Sequence, residues 1–393
     1  MTLLATGVRS RSTVFLFSGV AAMNTAMVGA STAATLIASA DAGPAWSGVP
    51  GAFGVVGTAL GTLGAGALMA RRGSRPVLLA MYGASVAGAL VAFGAAAGTL
   101  LAVLLAGMLL LGLGNGAAQM SRYLAAELYP PERKGFALSV IVWAGTVGAI
   151  VGPALIAPGA HVATRLGLPE LAGPVLVAVA TTALALVAST GLPRVPPPPP
   201  RPRLSGAMVA AALRRPVVLV PLVAMVGAQV AMVAVMTMTP LQLHQHGHGL
   251  DVVGWILSAH MIGMFALAPL SGRIADRWGG RVTIYLGIGT LLLAAATAMS
   301  APTAHTSGLP LALFLLGYGW NLVFVGGSSL LSRDLPADER TQLQGVVDAV
   351  VWGSSAVASL VAGALFGLGG YPLVAVFGGV LALAPLAVVR AGR

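Results

Sequence analysis

A chain of 393 residues that is 57% hydrophobic and only 8% charged cannot cover itself with a wetted surface, because soluble domains carry about 25% charged residues. With a mean hydropathy of +0.92 it reads as an integral membrane protein, and the absence of cysteine excludes disulfides and thiolate metal ligands. The formal net charge of +11 raises nucleic acid as a partner, but the placement of the charges gives them another role.

A spanning helix needs about 20 apolar residues. Twelve such runs follow one another, near 13–37, 47–70, 76–97, 99–122, 136–158, 171–192, 216–240, 251–272, 281–300, 309–332, 342–366 and 371–390. The first has neither the short apolar core nor the small-residue cleavage pattern of a signal peptide, so it is expected to be retained. Glycine and alanine are abundant in the runs, as expected where helices pack closely in lipid. Between the sixth and seventh runs, residues 193–215 hold five consecutive prolines and five arginines, a composition that predicts an extended, polyproline-like linker. The expected organisation is therefore a six-helix bundle over 1–192, a cytoplasmic Pro/Arg-rich linker over 193–215, and a second six-helix bundle over 216–393.

Orientation follows from the basic residues. If the first run enters from the cytoplasm, every Lys and Arg among the 21 falls in a cytoplasmic segment except Arg165, which satisfies the positive-inside rule. Both termini are then cytoplasmic, and nucleic acid is not needed to explain the charge.

The halves also repeat each other. Gly66 to Arg75 matches Gly272 to Arg281, Leu110-Leu111-Gly112-Leu113-Gly114 matches Leu315-Leu316-Gly317-Tyr318-Gly319, and Glu132-Arg133 matches Glu339-Arg340.

Candidate chemistry sits in the second half. Met232-Val-Ala-Val-Met236 and His260-Met-Ile-Gly-Met264 each place two electron-rich side chains four apart, on one helical face. Thioether with imidazole suits a soft monovalent metal such as Cu(I); core filling is the alternative for each methionine. His260 is the one histidine deep in a run, where an ionisable group is costly and usually functional. Counted at about 1.5 Å per residue from the periplasmic ends, Met232 and His260 lie at nearly equal depth. Met236 and Met238 lie closer to the surface and Met264 lies deeper. Met23 and Met27 repeat the spacing in the first run and extend a path inward. His244, His246 and His248 alternate in the periplasmic loop, where they capture metal or form only a polar loop. Protonation of His260 would compete with metal. Asn24, Asn115, Gln119, Gln229 and Asn321 line the cavity or bond between helices.

The loop Gly272-x-x-x-Asp276-Arg277-x-Gly279-x-Arg281 resembles the signature between the second and third helices of each half in major facilitator superfamily transporters. That resemblance implies an all-α membrane fold of twelve helices in two bundles, with alternating access and no enzymatic activity. It also implies a conformational gate at Gly272, Asp276, Arg277, Gly279 and Arg281. In the first half Ala70 stands where the family has Asp, and Asp348 is the carboxylate available to Arg71 or Arg75 instead. Within the superfamily, the paired Met232/Met236 and His260/Met264 motifs resemble those of the CcoA-like (CalT) copper importers of the bacterial inner membrane. The resemblance implies copper as transported substrate rather than cofactor, for the biogenesis of cbb3-type cytochrome c oxidase. It further implies a monomer in the lipid bilayer, with a cytoplasmic copper chaperone or copper-exporting ATPase downstream. Members of that family are associated with functional cysteines, which this chain lacks. Two other readings stay open: a proton-coupled drug or small-metabolite exporter of the same fold, and a non-transporting copper-binding sensor.

Overall fold

A computed structural model describes residues 6–98, 100–129, 134–194, 206–300, 308–335 and 337–386. Among them there is no strand. The helices are α1 (Thr6–Ala42), α2 (Val49–Arg72), α3 (Ser74–Gly98), α4 (Leu101–Leu128), α5 (Lys134–Ala154), α6 (Ile156–Arg165), α7 (Ala172–Thr190), α8 (Gly206–Leu213), α9 (Pro216–Gln245), α10 (Leu250–Phe265), α11 (Ala268–Ser300), α12 (Gly308–Asp334) and α13 (Ala337–Ala382).

The twelve expected spans are all accommodated, though helices and spans do not correspond one to one. Nine helical stretches among the described residues are long and apolar enough to cross a membrane, and α5 with α6 forms a tenth, bent by 46°. Pro153 lies in the last turn of α5, where a ring without an N–H breaks the hydrogen-bond ladder. Two of the nine stretches hold two spans each. The stretch Leu250–Ser300 turns at Gly279, whose φ of 85° a side chain would resist. The stretch Val346–Leu386 turns at Gly369 and Gly370.

The chain forms two compact units, Met1–Ala42 with Val49–Pro200, and Gly43–Gly48 with Arg201–Arg393. Two features depart from the sequence reading. Residues 43–48, expected in the first bundle, pack with the second unit: Gly48 presses its bare backbone on the Ser359 carbonyl and Ser47 donates to the Met238 sulfur at 3.2 Å. The linker is not extended throughout. Its part beyond 205 forms α8, because Ala207 and Ala210–Ala212 carry the highest helix propensity of any residue.

The repeat is visible in the packing. In the first unit α4 lies against α2 and α3, and α1 against α5 and α7; in the second, α12 lies against α10 and α11, and α9 against α13. A β-carbon on Gly112 would strike the Gly54 carbonyl and come within 2.8 Å of the Thr58 nitrogen. One on Gly317 would strike the His260 carbonyl and come within 2.9 Å of the Met264 nitrogen. The same glycine contact thus closes α2 on α4 and α10 on α12, and it identifies Gly54 and Thr58 as the counterparts of His260 and Met264.

Candidate functional site

Helix α12 packs against both α9 and α10, the helices that carry the two motifs. His260 is fully buried, with Nδ1 at 2.8 Å from the Leu313 carbonyl. A carbonyl only accepts, so Nδ1 donates its proton there. In the neutral ring the lone pair then lies on Nε2, which is buried and has no hydrogen-bond partner. A metal-ligating histidine has this arrangement: one nitrogen fixes tautomer and ring orientation while the other stays open. Met264 is buried one turn on, and the Asn321 amide donates to its backbone carbonyl at 2.8 Å. The Asn321 Oδ1 is itself buried without a partner.

Met232 and Met236 lie on a stripe of α9 that begins with Met225 and Gln229. Met225 sets its sulfur against Gly327 of α12. Gln229, fully buried, accepts from Trp320 Nε1 at 2.7 Å and donates to Ser355 Oγ at 2.8 Å. Helix α9 packs along α12, and His260 and Met264 of α10 close on Gly317 of α12. Met232 is buried and Met236 half-buried.

The first unit contains corresponding residues. Asn24 packs its β-carbon on Gly148 of α5, as Gln229 bonds to Ser355 of α13. Met27 follows Asn24 by three residues, as Met232 follows Gln229, so Met27 is the counterpart of Met232. Met27 Cε lies 3.3 Å from the point where a β-carbon on Gly54 would stand.

The remaining expected residues are more dispersed. Met23 is buried and Met27 half-buried in the first unit. Met238 is buried, its sulfur already accepting from Ser47. His244 and His246 are exposed and His248 half-buried, and His246 Nδ1 donates to the Gln242 carbonyl at 2.8 Å. Among the described residues no three His, Asp or Glu side chains gather into a metal site. Gly272 precedes the turn at Gly279 in α11, and Asp276, Arg277 and Arg281 are exposed around it. Asp276 pairs with Arg333 at 3.5 Å, and Arg277 lies over the Trp278 ring at 5.7 Å. Asp348 is half-buried and takes part in an interaction. Glu132 and Arg133 lie outside the described residues. Because both partners of the Asp276–Arg333 pair are largely exposed, Arg333→Ala is expected to change the unfolding free energy in detergent by less than about 1 kcal/mol, read from thermal unfolding.

Sequence reasoning named Gln229 and Asn321 but not their partners, and it missed an aromatic cluster. Trp320 stacks on Phe324 with centroids 5.0 Å apart and meets Trp352 edge-on at 6.2 Å. Trp352 remains 45% exposed.

Comparison with known proteins bears on this architecture. The family model described as Major Facilitator Superfamily matches residues 14–359, and again 244–391. The chain is 31% identical over 375 residues to the uncharacterised MFS-type transporter YddS of Bacillus subtilis (strain 168), covering 92% of this chain and 85% of the relative. It is 30% identical over 335 residues to the riboflavin transporter RfnT of Brucella anthropi, covering 84% and 82%. Among solved structures, a D-xylose-proton symporter superposes with a TM-score of 0.71 at 16% identity, covering 96% of this chain and 97% of that one.

Proposed function

We propose a cargo for a chain that belongs to the Major Facilitator Superfamily, and so is a multi-pass membrane transporter and not an enzyme. The cargo is copper, taken as Cu(I) from the periplasm to the cytoplasm by alternating access, in a bacterial inner membrane with both termini cytoplasmic. Met232, Met236, His260 and Met264 hold it. Met23, Met27 and Met238 extend the path, His244, His246 and His248 stand at its mouth, and the imported copper serves cbb3-type oxidase assembly. One observation carries the reading: a buried imidazole whose Nδ1 is committed to the Leu313 carbonyl while Nε2 is left open, with the Met264 thioether one turn on along the same helix. Thioethers and imidazole are soft ligands, and ions in transit need sites that also let go. The test is radioactive copper accumulation in cells short of their own importer. The wild-type chain raises it, and an unchanged level against empty vector sinks the reading.

A second reading rests on different residues. A relative at 30% identity is a riboflavin transporter, and Trp352 offers an accessible indole face beside the Trp320–Phe324 stack. Planar aromatic cargo stacks on such a face with about 0.5–1.5 kcal/mol per ring pair beyond area burial. If the cargo is a flavin, Trp352→Ala lowers riboflavin uptake roughly tenfold, the sum of lost stacking and buried area, and leaves copper counts untouched. If it is copper, the same substitution leaves copper accumulation within about twofold of wild type and no riboflavin enters.

A further inference from the structure

The site around His260 has a counterpart in the first unit that lacks the histidine. The glycine contacts place Gly54 where the second unit has His260. Met108 stands four residues before Gly112 as Leu313 stands four before Gly317, and Met27 is the counterpart of Met232. A β-carbon on Gly54 would therefore meet, in place of an imidazole's neighbours, two thioether ends: Met27 Cε at 3.3 Å and Met108 Cε at 3.5 Å. Met108 is fully buried and Met27 half-buried, so the pair is held from within and reached from one side. Met23, fully buried, lies one turn from Met27 on the same face of α1. The missing side chain at Gly54 is what lets the two methionines, from α1 and α4, enter the same space.

We propose that Met27 and Met108, with Met23, form a second soft-metal site, built of thioethers alone and specific for Cu(I) or Ag(I). Sulfur-only sites select these ions, and the absence of nitrogen or carboxylate ligands excludes harder cations such as zinc or magnesium. As a station for the cargo this rests on the copper reading; as a binding site it stands on the first unit's geometry.

The test uses the purified full chain in detergent, with Ag(I) as a redox-stable stand-in and a competing chelator that strips weak surface sites. Wild type retains about two Ag(I) per chain. Met27→Leu with Met108→Leu, which conserves volume and is tolerated in packed cores, retains about one, whose X-ray absorption shows a nitrogen in the shell. His260→Asn retains about one, with sulfur alone. Elution and thermal unfolding of each variant confirm that it is folded. An unchanged count and an unchanged sulfur shell in the Met27/Met108 variant overturn the proposal. Loss in that variant with full retention in His260→Asn leaves this site standing and removes the one around His260.

Discussion

Replacing His260 with Asn is expected to abolish copper accumulation, by at least about tenfold and towards the level of empty vector. Even outer partners of a ligating histidine are worth 10–100-fold in metal affinity, and here the ligand itself is removed. Asn is the informative choice because its side-chain amide reaches as far as Nδ1. It can still donate to the Leu313 carbonyl that His260 engages at 2.8 Å, so the tie between α10 and α12 persists while the Nε2 position disappears. The chain should reach the membrane in normal amount and unfold at a similar temperature. Met232→Leu and Met264→Leu, which preserve volume and remove only sulfur, produce smaller losses of the same kind. Acidification is expected to reduce copper uptake in the wild type, because a proton on Nε2 would occupy the lone pair that the metal needs. If His260→Asn transports normally, the imidazole is a structural tie and its open nitrogen has no part in transport.

The second large effect is structural. Gly317→Leu is expected to lower expression severely and to destabilise what is made by about 3 kcal/mol or more, through the overpacking of a closed core contact. Any β-carbon there strikes the His260 carbonyl, with the Met264 nitrogen at 2.9 Å, and the obstacles are backbone atoms that no rotamer change can move. Even Gly317→Ala must push α10 off α12 by a fraction of an ångström. Because α10 carries the candidate ligands on that face, the milder variant should impair transport more than stability. Gly289, at which a β-carbon meets nothing within 4 Å, is the control: Ala there is tolerated, and the gap between the two substitutions measures the contact.

Much of this organisation is written in the sequence at short range. Twelve apolar runs with glycine, proline or arginine between them need only composition and length to be seen, and the two halves repeat strongly enough that Gly112 and Gly317 could be aligned by eye. Their physical meaning could not, because a glycine that closes a helix crossing looks like any other among the 53 in the chain. The turns at Gly279 and Gly370 need a positive φ but leave too little irregular backbone to separate the helices around them. The helix α8 was hidden by its proline- and arginine-rich neighbours, though its own alanines announce it.

In the candidate site, the spacing of Met232, Met236, His260 and Met264 was legible because helical periodicity is local. Their surroundings were not. Gln229 finds Trp320 and Ser355 at 91 and 126 residues' separation, and the partner of His260 is a backbone carbonyl, a group every residue has. No sequence pattern distinguishes Leu313 for that role. Met108 was passed over for the same reason: the other methionine of α4, Met120, does not stand at helical spacing from it, and only the missing side chain of Gly54 brings Met27 to it.

The most direct measurement is copper entry into liposomes that contain only the purified chain, with Cu(I) buffered outside and a copper-responsive fluorescent chelator trapped inside. Copper should enter vesicles with the wild-type chain at least about tenfold faster than those with the folded His260→Asn variant, which should match empty vesicles. Equal rates for wild type, variant and empty vesicles would contradict it.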